Sequence, residues 1–112
     1  MHRGEVWRVR LPPASGHRQA GERPAVLVQD DRFISSLPTV FVIPFTSNLS
    51  ASRFAGTLLV QPDGKNGLTV PSIAMVFQFG PVDKRDCVRQ IGSLDVPTLD
   101  QLLDQLDQLT GR

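Results

Sequence analysis

The sequence predicts a mainly β protein with helices (α+β), built as a small, coiled antiparallel sheet or partly open barrel closed by one C-terminal amphipathic helix. Three observations carry this. The chain has 112 residues, enough for one domain with a modest core but too few for two. Most of it reads as short apolar or alternating runs separated by proline and glycine turn signals. Only the last segment changes period: Leu99, Leu102, Leu103, Leu106 and Leu109 fall at i, i+3, i+4, i+7 and i+10, one stripe of an amphipathic helix.

The elements follow in order. In "EVWRVRL" (residues 5–11), Val6, Arg8 and Arg10 alternate with Trp7, Val9 and Leu11, the period of a strand. Pro12 and Pro13 end it, and a loop from Ala14 to Glu22 follows. "PAVLVQD" (24–30) and "TVFVIPF" (39–45) are nearly all apolar, as expected of strands covered on both faces, with Pro44 marking the end of the second. After the polar loop "TSNLSASRFAG" comes a short strand, "TLLVQ" (57–61), and the turn "PDGKNG". "SIAMVFQF" (72–79) reads as a fifth strand, "DKRD" as a short helical turn and "VRQIG" as a final strand. Pro97 suits the first turn of the closing helix and Gly111 its stop.

Charge is unevenly distributed. Residues 1–94 carry a net +4 and residues 95–112 a net −3, and the first 23 residues hold five arginines against two glutamates. A basic body of this kind can bind a polyanion without a large overall charge. "MHRGEVWRVR" has charges where the apolar core of a secretory signal would stand, and "TVFVIPF" is too short to cross a bilayer. With Cys87 as the only cysteine, no internal disulfide can form. The expectation is a cytoplasmic protein without a membrane anchor.

Several chemistries lack their motifs. There is no phosphate-binding GxxxxGK[ST], no GxGxxG, no HExxH and no paired-cysteine spacing, and His2 and His17 are the only histidines. No metal site and no cofactor are expected. Cys87, within "RDCVRQI", reads as a half-buried structural thiol. What remains is Arg, His, Thr and Ser near strand ends, a set suited to metal-free phosphodiester cleavage. Cutting RNA through its own 2′-hydroxyl needs a base, an acid and donors for charge growing on the phosphate. Arginine offers a planar, permanently charged fork, and histidine titrates near neutrality.

At these residues the chain resembles a known family. "RGEVWRVRLPPASGHRQAGERPAVLV" is similar to the opening of the MazF/PemK/Kid toxins, and "VIPFTSN" resembles their second motif. The ending "VDKRDCVRQIGSLD" with its leucine-striped helix is also similar, so the likeness spans almost the whole chain. It implies an SH3-like, partly open barrel of the MazF/CcdB type and a homodimer. It further implies a metal-independent, sequence-specific endoribonuclease on single-stranded mRNA, the toxin of a type II toxin–antitoxin pair. Cleavage would leave 2′,3′-cyclic phosphate and 5′-hydroxyl ends, and a cognate MazE-like antitoxin would block the site.

Carried over by position, Arg23 matches the arginine that stabilises the transition state and Thr46 the catalytic threonine. His17 matches the loop histidine near the scissile phosphate and is the candidate for proton transfer. Arg18, Gln19, Ser47 and Gln78 are candidate RNA contacts. Departures are equally specific. Arg18, Phe77 and Gly80 stand where many members have an acid, an acid and an arginine, and Met75 stands where the Kid type has an arginine. The group that accepts the proton is therefore open, with Glu22 and Glu5 as fallbacks.

Plainer readings stand beside these. Arg23 could pair with Glu22 or Asp31, Thr46 and Ser47 could form a hydroxyl-capped turn, and Trp7 could be core. Phe77 and Phe79 could stack bases or pack inward. The leucine stripe is core or dimer surface. Two rival functions share the fold: an RNA binder without activity, and a CcdB-like poison of DNA gyrase. The latter would need an aromatic anchor near the C-terminus, where this chain reads "DQLTGR".

Overall fold

The computed structural model describes residues 1–11 and 21–112. Its strands are β1 (Glu5–Leu11), β2 (Gly21–Leu27), β3 (Thr39–Thr46), β4 (Thr57–Val60), β5 (Ser72–Met75), β6 (Gly80–Asp83) and β7 (Cys87–Ser93). The helices are α1 (Asp31–Ile34) and α2 (Val96–Leu109). Every pairing is antiparallel, in the order β4-β5-β3-β2-β1-β7, with β6 also on β3. The sheet curls but does not close. Between its edges runs the 61–71 connection, where the Ser93 N–H donates to the Lys65 carbonyl at 2.9 Å.

Both faces of the central strands are covered, as their continuous apolar runs require. Val26, Ile43 and Phe45 enter one core, which Leu102 of α2 completes, with Leu99, Leu103 and Leu106 packed against it. Ala25, Leu27, Val40 and Val42 enter the second core, flanked by Trp7, Leu11 and Cys87. The leucine stripe is thus mainly core. α2 starts where expected: Asp95 caps it by accepting from the Thr98 N–H at 2.8 Å, with Pro97 in the first turn. Asp30 and Asp83 cap α1 and the 3₁₀ turn Lys84–Asp86 in the same way. All three carboxyls lie below the usual range: hydrogen bonds from the Arg32 side chain lower Asp30, those from Arg85 bring Asp83 to about 2, and those with Thr98 lower Asp95.

Three elements differ from the sequence reading. β2 begins at Gly21 rather than Pro24, because β1 is long enough to pair Arg10 with Glu22 and Val9 with Arg23. Glu22, assigned to the loop, and Arg23, which follows it, are therefore both ladder residues. The expected strand 72–79 stops at Met75: β5 gives way to a 3₁₀ turn (Val76–Gln78), and a separate strand the sequence did not indicate, β6, starts at Gly80. The gap falls between the β5 pairing at Phe45 and the β6 pairing at Val42, beside Pro44, which has no N–H to give a ladder. α1, at four residues, is too short to show a helical period.

Candidate active site

A cleft of about 610 Å³ opens where β2 runs past its last ladder pair with β3. That pair is Ala25 with Pro44; the same register carried two residues further sets Arg23 across from Thr46, and one further sets Glu22 across from Ser47. All four line the cleft. Pro24 restricts Arg23 to extended backbone, and the ladder pair with Val9 holds it there.

Arg23 does not take up the plainer role of a surface ion pair. Glu22 is held instead by Arg8, whose Nε donates to Oε1 at 3.0 Å, and Asp31 accepts from the Arg3 N–H at 2.6 Å. The Nε of Arg23 is shut off from solvent and has no hydrogen-bond partner among the described residues. An unpaired buried donor costs about 1–3 kcal/mol, so the fold holds this group ready for an acceptor. Thr46 is buried and its Oγ1 accepts from the Asn48 N–H at 3.2 Å. The hydroxyl-capped turn therefore exists, and it fixes the threonine at the cleft while leaving its O–H to donate.

The opposite wall contains residues that sequence reasoning missed. Arg8 pairs directly with Arg89 across β1 and β7, and with Pro24 across β1 and β2. Two like charges facing each other across a ladder repel. Arg89 has no ion-pair partner among the described residues, so the lining holds three arginines against one carboxylate. Only strand register brings Arg8 and Arg89 together; nothing in the linear sequence marks them. Gly67, Leu68, Thr69 and Val70 form a further stretch of wall.

That wall is pinned to β7 by close backbone approach. Asn66, almost wholly buried, donates to the Gln61 carbonyl at 2.9 Å and accepts from the Leu68 N–H at 3.0 Å. A Cβ at Gly92 would lie 2.3 Å from the Lys65 carbonyl oxygen and 2.6 Å from the Gly67 nitrogen, leaving no room for a side chain. Gly92→Ala is expected to lower stability by about 1–3 kcal/mol, an overpacking cost, and to displace this wall. Denaturant unfolding alongside an activity assay checks both effects.

Of the sequence-derived candidates, Arg23, Thr46 and Ser47 come together in the cleft. Gln78 does not line it; it sits half-buried on the 3₁₀ turn that interrupts the fifth strand. His17, Arg18 and Gln19 lie outside the described residues. Glu5 is not in the lining either, and accepts from the Trp7 indole N–H at 2.9 Å. Phe77 packs against Phe54, and Phe79 against Phe41 and the α2 core, so both pack inward. At Cys87, burial and then the Asp86 and Asp83 carboxylates push the thiol up, away from the reactive thiolate.

Known proteins resemble this chain in sequence and in fold. The family model described as PemK-like, MazF-like toxin of type II toxin-antitoxin system matches residues 2–110. Endoribonuclease MazF9 of Mycobacterium tuberculosis is 32% identical over 111 residues, covering 95% of this chain and 92% of the relative. Endoribonuclease EndoA of Bacillus subtilis is 28% identical over 109 residues, covering 96% and 89%. Among solved structures, the MazF crystal structure from Deinococcus radiodurans superposes with a TM-score of 0.83 at 20% identity, covering 100% of this chain and 97% of that one. An endoribonuclease in complex with its cognate antitoxin, from a mycobacterial species, superposes with a TM-score of 0.78 at 16% identity, covering 99% and 95%. These two likenesses confirm the partly open sheet with its closing helix. On the family match and the full-length relative, this chain belongs to the PemK-like, MazF-like toxins of type II toxin–antitoxin systems.

Proposed function

We propose that this chain is an endoribonuclease, the toxin of a type II toxin–antitoxin pair, cutting single-stranded RNA in the cleft between Arg23 and the Arg8–Arg89 pair. The observation that carries the reading is the buried Nε of Arg23, unpaired among the described residues, in a cleft it shares with Thr46 and whose described lining is positively charged. A phosphate oxygen is the acceptor that such a donor lacks, and arginine meets phosphate with two parallel bonds. The cleft also has room for a nucleotide. The endoribonuclease names of the full-length relatives support the same chemistry.

In this reading Arg23 neutralises charge growing on the phosphorane, and Thr46 donates its hydroxyl proton to a phosphate oxygen. Ser47 and Arg89 hold the backbone, with Arg18, Gln19 and Gln78 as further RNA contacts and His17 as a group moving a proton. The 2′-hydroxyl attacks, giving 2′,3′-cyclic phosphate and 5′-hydroxyl ends, and the permanent arginine charge serves in place of a metal. The whole chain, 1–112, acts as one domain, a cytoplasmic homodimer restrained by a MazE-like antitoxin. No helix among the described residues is long and apolar enough to cross a membrane.

The purified chain, incubated with a long RNA in EDTA at neutral pH, is expected to cut at discrete sites with cyclic phosphate ends. Intact RNA would overturn the enzyme reading, and RNA bound but uncut would favour an inactive binder. Cutting that EDTA abolishes would overturn metal independence.

A further inference from the structure

We propose that Glu22 is the general base of the cleavage and that Arg8 is its positioning residue; the assignment rests on the endoribonuclease reading above. Glu22 is the only carboxylate among the described residues lining the cleft, and the other titratable groups there are Arg8, Arg23 and Arg89. Arginine stays protonated at every working pH and cannot take a proton. Of the two glutamates left open by the sequence, Glu5 lies outside the cleft and is engaged by Trp7.

Placement favours Glu22 further. It is a ladder residue opposite Arg10, one position from Arg23, so its backbone is fixed relative to the phosphate-binding arginine. Arg8 holds Oε1 at 3.0 Å, while Oε2 has no hydrogen-bond partner among the described residues. One oxygen is thus anchored and the other is free to accept. The pair is too exposed to serve mainly as structural support, with side-chain exposures of 37% and 47%; such surface pairs contribute about 0–1 kcal/mol.

The step balances. Glu22 Oε2 takes the 2′-hydroxyl proton as the O2′–P bond forms, the P–O5′ bond breaks, and the leaving 5′-oxygen takes a proton from water. Glu22 ends neutral and returns its proton to solvent. Arg8 keeps the carboxylate turned into the cleft, and the carboxylate in turn offsets some of the repulsion between Arg8 and Arg89.

The test is single-turnover cleavage of a short RNA across pH, with RNA affinity measured in parallel, for the wild type, Glu22→Gln, Glu22→Asp, Arg8→Gln and His17→Ala. Glu22→Gln is expected to slow cleavage by about 100- to 10,000-fold with RNA still bound, and Glu22→Asp to restore part of the rate. The wild-type rate should fall off at acid pH, where protonation removes the base, and that limb should vanish in Glu22→Gln. Arg8→Gln should weaken cleavage and move the limb, which a purely structural pair would not do. An active wild type with an equally active Glu22→Gln overturns the base alone, as does an acid limb lost in His17→Ala but kept in Glu22→Gln. A wild type that leaves RNA intact overturns the enzyme reading and the base with it.

Discussion

Replacing Arg23 with alanine is expected to slow RNA cleavage by about 100- to 1000-fold, the loss typical for one preorganised charge donor, or roughly 2.7–4 kcal/mol at the transition state. The fold should survive. The Nε of Arg23 has no partner among the described residues, so removing the side chain breaks no hydrogen bond there and relieves an unsatisfied donor. Melting temperature should therefore stay close to the wild-type value while the rate collapses. RNA affinity should fall much less, because Arg8 and Arg89 still line the cleft. Arg23→Lys keeps the charge without the planar fork and should recover only part of the rate. Cleavage kinetics, binding and thermal melts on the same preparations check all three; undiminished cutting by Arg23→Ala would remove the residue from the mechanism.

Phe45→Ala is expected to be the most destabilising of the changes considered, by about 3–5 kcal/mol, and to abolish activity with the fold. Phe45 is 1% exposed, fills the main core against Val26, Ile43 and Leu102, and also forms part of the cleft lining. It precedes Thr46, whose Oγ1 accepts from the Asn48 N–H, so a cavity here loosens the cleft end of β3 as well as the core. Phe45→Leu keeps most of the volume and should stay folded at a smaller cost. Activity lost in Phe45→Leu beyond its loss of stability would show that the ring shapes the cleft. Denaturant unfolding and rates at matched folded fraction separate the two effects.

Much of the fold was legible because its signals are local. Alternation marked β1, continuous apolar runs marked β2 and β3 as strands covered on both faces, and the leucine spacing with Pro97 and Gly111 marked α2. The split of the fifth strand was not legible. Val76 and Phe77 are apolar and β-prone, yet with Gln78 they leave the ladder beside Pro44 of another strand, so the cause lies outside the segment itself. The extension of β2 back to Gly21 has the same kind of cause, the length of its partner.

The candidate site divides in the same way. Arg23 and Thr46 were named because the resemblance to the toxin family carries those positions over; by local chemistry alone they read equally as a surface arginine and a hydroxyl-capped turn. That the two line one cleft, that Arg23 Nε is buried with no partner among the described residues, and that Arg8, Arg89 and Glu22 join them depend on register between strands far apart in the chain. Taken alone, the sequence determined which residues can handle a phosphate and which runs form strands and helix, since residue chemistry and period are local properties. Only the tertiary structure decided which arginines share a cleft and which glutamate faces it, because pairing register and burial are set by long-range contacts.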